Sequence, residues 1–244
     1  METINHTKVK NYYNVCYKTD IVGKVSPFKI QEGVRSYYAY EYVLNSLNIE
    51  NGNSMKLLDI ACGRGFLLRA ASKRGFKTSG IDISDEAVRL AKKNSPGSEI
   101  KVGVAEKLPF STESFDAVFC LGSLEHFLDQ KKALSEIIRV SKKNATIYIM
   151  VPNKDFIYYK FSSQEGTHQH EIQETLRTNN EWTNFLKQNN LSVSKILPDD
   201  YNVKQPIFMD FRPLFIIRRM VLRIFGLFLP LKYAYQFLYV CRKN

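Results

Sequence analysis

The run Leu57-Leu-Asp-Ile-Ala-Cys-Gly-Arg-Gly65 sets an acidic side chain, Asp59, at the end of an apolar stretch and two glycines just beyond it. Without a Cβ, Gly63 and Gly65 let the chain turn tightly and let a ligand lie against backbone N–H groups, which suits a nucleotide-type ligand. Seventeen residues after Gly65 a second apolar run ends in Asp82, whose two oxygens could hold a pair of ribose hydroxyls. Proton transfer falls to histidine, and His126, His168 and His170 all follow later apolar runs. A neutral imidazole, with a pKa of about 6.5, can take the proton of a hydroxyl. His126 is the first candidate base and His168 the second. The competing reading for either is a histidine that bonds a backbone carbonyl and organises its loop.

These residues need a scaffold that gathers the ends of several strands. Residues 66–74 read as the helix after the glycine turn, and 76–82 as the second strand. Ser84 stands as the N-cap of a helix over 85–94, with Asp85 and Glu86 in its first turn. Strands follow at 99–104, 115–120 and 145–151, and a helix at 130–142 carries an apolar stripe of Ala133, Leu134, Ile137, Ile138 and Val140. A helix at 181–190, a strand at 191–197 and a last strand at 235–242 complete the order. Alternating strands and helices predict a parallel, doubly wound α/β sheet with helices on both faces. A dinucleotide fingerprint would need a third glycine where Leu68 stands, so hydride transfer loses support.

The first motif resembles that of the class I S-adenosylmethionine-dependent methyltransferases, hydrophobic-x-Asp-x-Gly-x-Gly-x-Gly, with Ala61 in place of the first glycine. The run Ala105-Glu-Lys-Leu-Pro-Phe110 resembles the family's second motif, which meets the adenine ring. Leu124-Glu-His-Phe127 is similar to the Leu-Glu-His-Val of ubiquinone-type O-methyltransferases. The resemblance implies a Rossmann-like, seven-stranded sheet whose final strand runs antiparallel beside the fifth. It implies S-adenosyl-L-methionine as cofactor, held by Asp59, Ala61, Gly63, Gly65 and Asp82. Ile83, Ala105, Glu106 and Leu121 carry over as further cofactor contacts, with His126 and His168 as catalytic residues. The His168-x-His170 spacing with Glu125 lacks the cysteines or carboxylates of a metal site, so no metal is expected. The implied activity is methyl transfer to oxygen on a small or lipid-linked acceptor: a glycolipid, a polysaccharide intermediate or a quinone-type molecule. The alternative is a non-catalytic methyltransferase-like partner that regulates another enzyme at the membrane.

At 244 residues the chain suits one methyltransferase domain with decorations. Residues 1–50 supply an N-terminal lid and helix, 51–200 the cofactor-binding core, 201–232 a hydrophobic basic insertion, and 233–244 the final strand. The tyrosines of 11–17 are placed to fold over the cofactor or to fill a groove, and 33–47 reads as a covering helix. Four dispersed cysteines read as reduced thiols, and the first residues hold no apolar export signal, so a cytoplasmic setting is expected.

Of the net charge of +11, residues 201–244 contribute +7, with eight basic residues against Asp210 alone. The same stretch is crowded with Phe, Leu and Ile, but Arg218, Arg219 and Arg223 interrupt it and Pro230 ends it. A spanning helix would need about 20 mostly apolar residues. An interfacial helix with a basic arc, facing anionic membrane, is the expectation, against self-packing or a dimer contact. No RNA-binding module accompanies the basic residues, which argues against nucleic acid.

Overall fold

The computed structural model describes residues 4–19, 35–156, 159, 172–201 and 230–244. Among them, seven strands form one sheet in the order β3-β2-β1-β4-β5-β7-β6. In chain order the elements are α1 (His6–Thr19), α2 (Tyr37–Ser46), β1 (Lys56–Ile60), α3 (Phe66–Lys73), β2 (Lys77–Asp82) and α4 (Asp85–Asn94). There follow β3 (Glu99–Val102), β4 (Phe115–Leu121), α5 (Gln130–Val140), β5 (Ser141–Pro152), α6 (Asn179–Gln188), β6 (Leu191–Pro198) and β7 (Gln236–Lys243). Strands β1 to β5 pair in parallel, whereas β7 lies antiparallel between β5 and β6, as the resemblance implied.

The period of two along each strand sorts side chains to two faces. Leu58, Ile60, Val118 and Cys120 pack under α5 and α6, with Trp182 and Leu186 fully buried. Leu57, Phe119, Met150 and Leu238 face α2, α3 and α4, against Leu44, Leu67, Leu68 and Ala91. A sheet covered on both faces buries its central strands, so the carboxyl ends of β1, β2 and β4 are the fixed platform on which a site can stand. Trp182 anchors α6 by donating its indole N–H to the Pro152 carbonyl at 3.0 Å.

Several boundaries differ from expectation; the third strand, expected over 99–104, ends at Val102. The helix expected over 130–142 stops at Val140, and β5 begins at Ser141, because Ser141 pairs with Phe115 and Lys142 Nζ reaches Asp116 Oδ1 at 2.8 Å across the sheet. The covering helix starts only at Tyr37, where Ser36 Oγ accepts the Ala39 N–H at 3.3 Å. α6 starts two residues early, set by a capping box between Thr178 and Glu181. All four cysteines are free thiols, and Cys62, Cys120 and Cys241 are buried. The hydrophobic basic stretch 207–229 and its four arginines lie outside the described residues.

Candidate active site

Beyond β1 the backbone enters the left-handed region three times, at Ala61 (φ +58°), Gly63 (+50°) and Gly65 (+72°). A Cβ on Gly65 would come within 3.0 Å of the Ala91 backbone, so this glycine is what lets α3 start against α4. Ala61 occupies the first-glycine position of the motif, where left-handed backbone costs a Cβ-bearing residue roughly 1–2 kcal/mol. What glycine supplies there is conformational freedom rather than small size. Asp82 closes the turn: Oδ2 accepts the Gly63 N–H and Oδ1 the Ser84 N–H, each at 2.9 Å. Each oxygen retains a second lone pair, so the carboxylate can serve ribose hydroxyls while it pins both turns.

α1 lies over this platform. Lys10 Nζ meets Asp85 Oδ2 at 2.8 Å, Asn14 Oδ1 accepts from Ser84 Oγ at 2.7 Å, and His6 Nε2 stands 3.4 Å from Glu106 Oε2. The Tyr17 hydroxyl sits 2.8 Å from where a Cβ on Gly63 would be, directly above the glycine turn. Burial first, and then the charge of Asp82, push the Tyr17 phenol well up. Glu106, expected at the adenine ring, also accepts the backbone N–H groups of Leu128 (3.1 Å) and Asp129 (3.3 Å) through Oε1. It thereby holds the chain that enters α5. Ile83 and Ala105 flank Asp82 and Glu106 in the loops after β2 and β3, and Leu121 ends β4.

The lining is acidic and dry. Burial, with Asp82 adding, pushes the Asp59 carboxyl well above the usual range, and burial pushes Asp82 up to about 6. Glu125, 2% exposed, is pushed up to about 8 by burial and then by nearby Glu174. Such a set of carboxyls is relieved by a positive ligand. Arg35, which the sequence reading missed, brings a buried guanidinium to the same region: it pairs with Asp199 and donates to Gln236 Oε1 at 2.5 Å. Its partners are 164 and 201 residues away in sequence, so no local signal announces it.

His126 sits in a 3-10 turn (Leu124–His126) just past β4, and its Nδ1 lies 2.8 Å from the Gln173 carbonyl oxygen. A carbonyl can only accept, so Nδ1 carries the proton and Nε2 keeps its lone pair. Burial pushes the imidazolium pKa down, and the ring is neutral at neutral pH. His168 and His170 lie outside the described residues. Among the described residues no group of three or more His, Cys, Asp or Glu side chains is placed to hold a metal ion.

The family model described as "Methyltransferase domain" matches residues 58–149, which carry the glycine turn, Asp82, Glu106 and the Glu125–His126 turn. A ubiquinone biosynthesis O-methyltransferase of Pelagibacter ubique is 27% identical over 83% of this chain and 91% of its own length. A demethylmenaquinone methyltransferase of Chlorobaculum parvum is 35% identical over 43% of this chain, a match that spans only 44% of that protein. In fold, a SAM-dependent methyltransferase from Aquifex aeolicus superposes with a TM-score of 0.58 at 17% identity, over 99% of this chain and all of its own.

Residues 58–149 match a methyltransferase domain, and these likenesses support a class I S-adenosylmethionine-dependent methyltransferase. Its cofactor is S-adenosylmethionine, and the residues fit that molecule. Gly63 and Gly65 keep the left-handed turn free of Cβ atoms, and each Asp82 oxygen retains a lone pair that a ribose hydroxyl could use. The buried carboxyls would answer a sulfonium and an ammonium group. What the bound cofactor contributes is an electrophilic methyl group.

Proposed function

We propose that this methyltransferase places the methyl group on an oxygen of a small or lipid-linked acceptor, with a quinone-type ring hydroxyl favoured over a glycolipid or a polysaccharide intermediate. The observation that carries the reading is the tautomer of His126: Nδ1–H donates to the Gln173 carbonyl and Nε2 is left basic, in a turn that follows β4 at the cofactor end of the sheet. A hydroxyl must lose its proton at or before attack on the methyl carbon, and a neutral, fixed imidazole is suited to take it. The rest is positioning: Glu106 and Gln173 fix the chain on either side of that turn. The relatives named for ubiquinone and demethylmenaquinone support a quinone-like acceptor, at modest identity.

The segment 207–232, with its arginines and apolar residues, would hold the enzyme peripherally on anionic membrane, where such acceptors reside. Among the described residues no helix is long and apolar enough to cross a membrane.

The test is turnover of a hydroxylated quinol analogue by His126→Ala, read by mass spectrometry as the gain of one methyl. A loss of about 10² to 10⁴ in turnover, with cofactor affinity nearly unchanged, is expected. Near-normal turnover from pH 6 to 9 would remove His126 from the chemistry.

A further inference from the structure

Glu125 stands beside the base and the mechanism above gives it nothing to do. Its Oε2 is buried and meets no hydrogen-bond donor, and its Oε1 lies 3.9 Å from His126 Nε2, beyond hydrogen-bond reach. Among the described residues the ionisable groups around it are Tyr13 from α1, Cys120 from β4, His126 from its own turn, Glu174 from the chain before α6, and Arg35 ahead of α2. Of these Arg35 is the fixed cation, and its guanidinium is committed to Asp199 and Gln236. Among the described residues Arg35 compensates the Glu125 charge only in part, and burial outweighs it. With Glu125 pushed up to about 8 and His126 pushed down, the two side chains hold one proton between them at neutral pH, on the carboxyl.

We propose that Glu125 and His126 form a one-proton pair, and that the positive charge of S-adenosylmethionine expels that proton when it binds, leaving the pair ready to receive the acceptor's. This rests on the methyl-transfer reading above. In the loaded site the pair carries one negative charge opposite one sulfonium. As the O–CH₃ bond forms and the S–CH₃ bond breaks, the electron pair of the broken bond stays on sulfur and the hydroxyl proton passes to the pair. Sulfur and pair end neutral together, so the net charge of the buried site is the same before and after transfer. In a dry site that avoids the cost of leaving a charge uncompensated. The demethylated product has no sulfonium, so the pair keeps its proton until the next cofactor arrives.

Titration calorimetry of the full chain near pH 7, in buffers of different ionisation enthalpy, counts the protons. Binding of S-adenosylmethionine should release about one proton and binding of S-adenosylhomocysteine about none, since the two differ only in the methyl group and its charge. Asp59 and Asp82 could also answer a cation, so Glu125→Gln is the deciding arm: it should bind both ligands and lose the difference. If that variant does not fold, the wild-type difference should instead follow one group titrating near pH 8 and vanish well above it. Equal proton counts for the two ligands, a difference that survives Glu125→Gln, or one centred near pH 6 where Asp82 titrates, would overturn the proposal. Failure of either ligand to bind would strike the methyltransferase assignment itself, a result distinct from equal counts.

Discussion

At the scale of single residues, Asp82 joins the two turns that bound the cofactor site, and Glu125 holds its carboxyl in a place that costs the fold something. A carboxyl raised from an ordinary 4.5 to about 8 binds its proton more tightly in the folded chain than in the unfolded one. The stability it allows is fully present below pH 4.5 and falls as pH rises towards 8. At about 1.4 kcal/mol per pKa unit the loss approaches roughly 5 kcal/mol above pH 8, an upper bound because local opening admits water. Glu125→Gln should therefore raise the melting temperature clearly at pH 8.5 and little at pH 5, measured by calorimetry on the apo protein. A variant equally or less stable than wild type at pH 8.5 would show that the carboxyl is not held dry. The turn made by Gly63, Gly65 and Asp82, and the place of Asp59 in β1 just before it, were legible in the sequence because they are local geometry at strand ends. Arg35 and the orphaned oxygen of Glu125 were not, because their environments are made by contacts from distant parts of the chain.

At the scale of elements, α1 is the loosest piece that touches the site. Val9 is its one buried residue, and its links to α4 and Glu106 run through Lys10, Asn14 and His6. The exposed Lys10–Asp85 pair contributes at most about 1 kcal/mol and the other two links are single polar contacts, so α1 can release without unfolding the sheet. A chain lacking residues 1–19 should keep its fold and lose bound S-adenosylhomocysteine at least about tenfold faster in stopped-flow displacement, since a lid sets the rate of escape. An unchanged dissociation rate would make α1 mere packing. The tyrosine cluster hinted at a lid, but its helical form did not follow from an apolar stripe, because α1 packs by polar contacts on one edge. The parallel core was readable because strands buried on both faces spell continuous apolar runs. The start of β5 was not, since Lys142 and Lys143 look solvent-facing until Asp116 on the neighbouring strand supplies the partner.

At the scale of the whole molecule, the charge is lopsided: +7 of +11 falls in the last 44 residues, interleaved with aromatic and aliphatic side chains. In the proposed peripheral contact each basic residue near an anionic membrane would contribute about 1 kcal/mol. Replacing Arg218, Arg219 and Arg223 with Glu should abolish sedimentation with phosphatidylserine vesicles at low salt and leave cofactor affinity untouched. Equal sedimentation of wild type and triple variant, or none by either, would assign the segment to self-packing or to contact between copies.

The glycine turn and Asp82 are the proposed hold on S-adenosylmethionine. The most direct measurement is calorimetric titration of that cofactor into the wild-type chain and into Asp82→Ala and Asp82→Asn, with folding checked by circular dichroism. Charge-assisted hydrogen bonds contribute about 1.5–3 kcal/mol each, so Asp82→Ala should weaken binding by at least about tenfold, and Asp82→Asn by less. Unchanged affinity in a folded Asp82→Ala chain, or binding of NAD in place of S-adenosylmethionine, would contradict it.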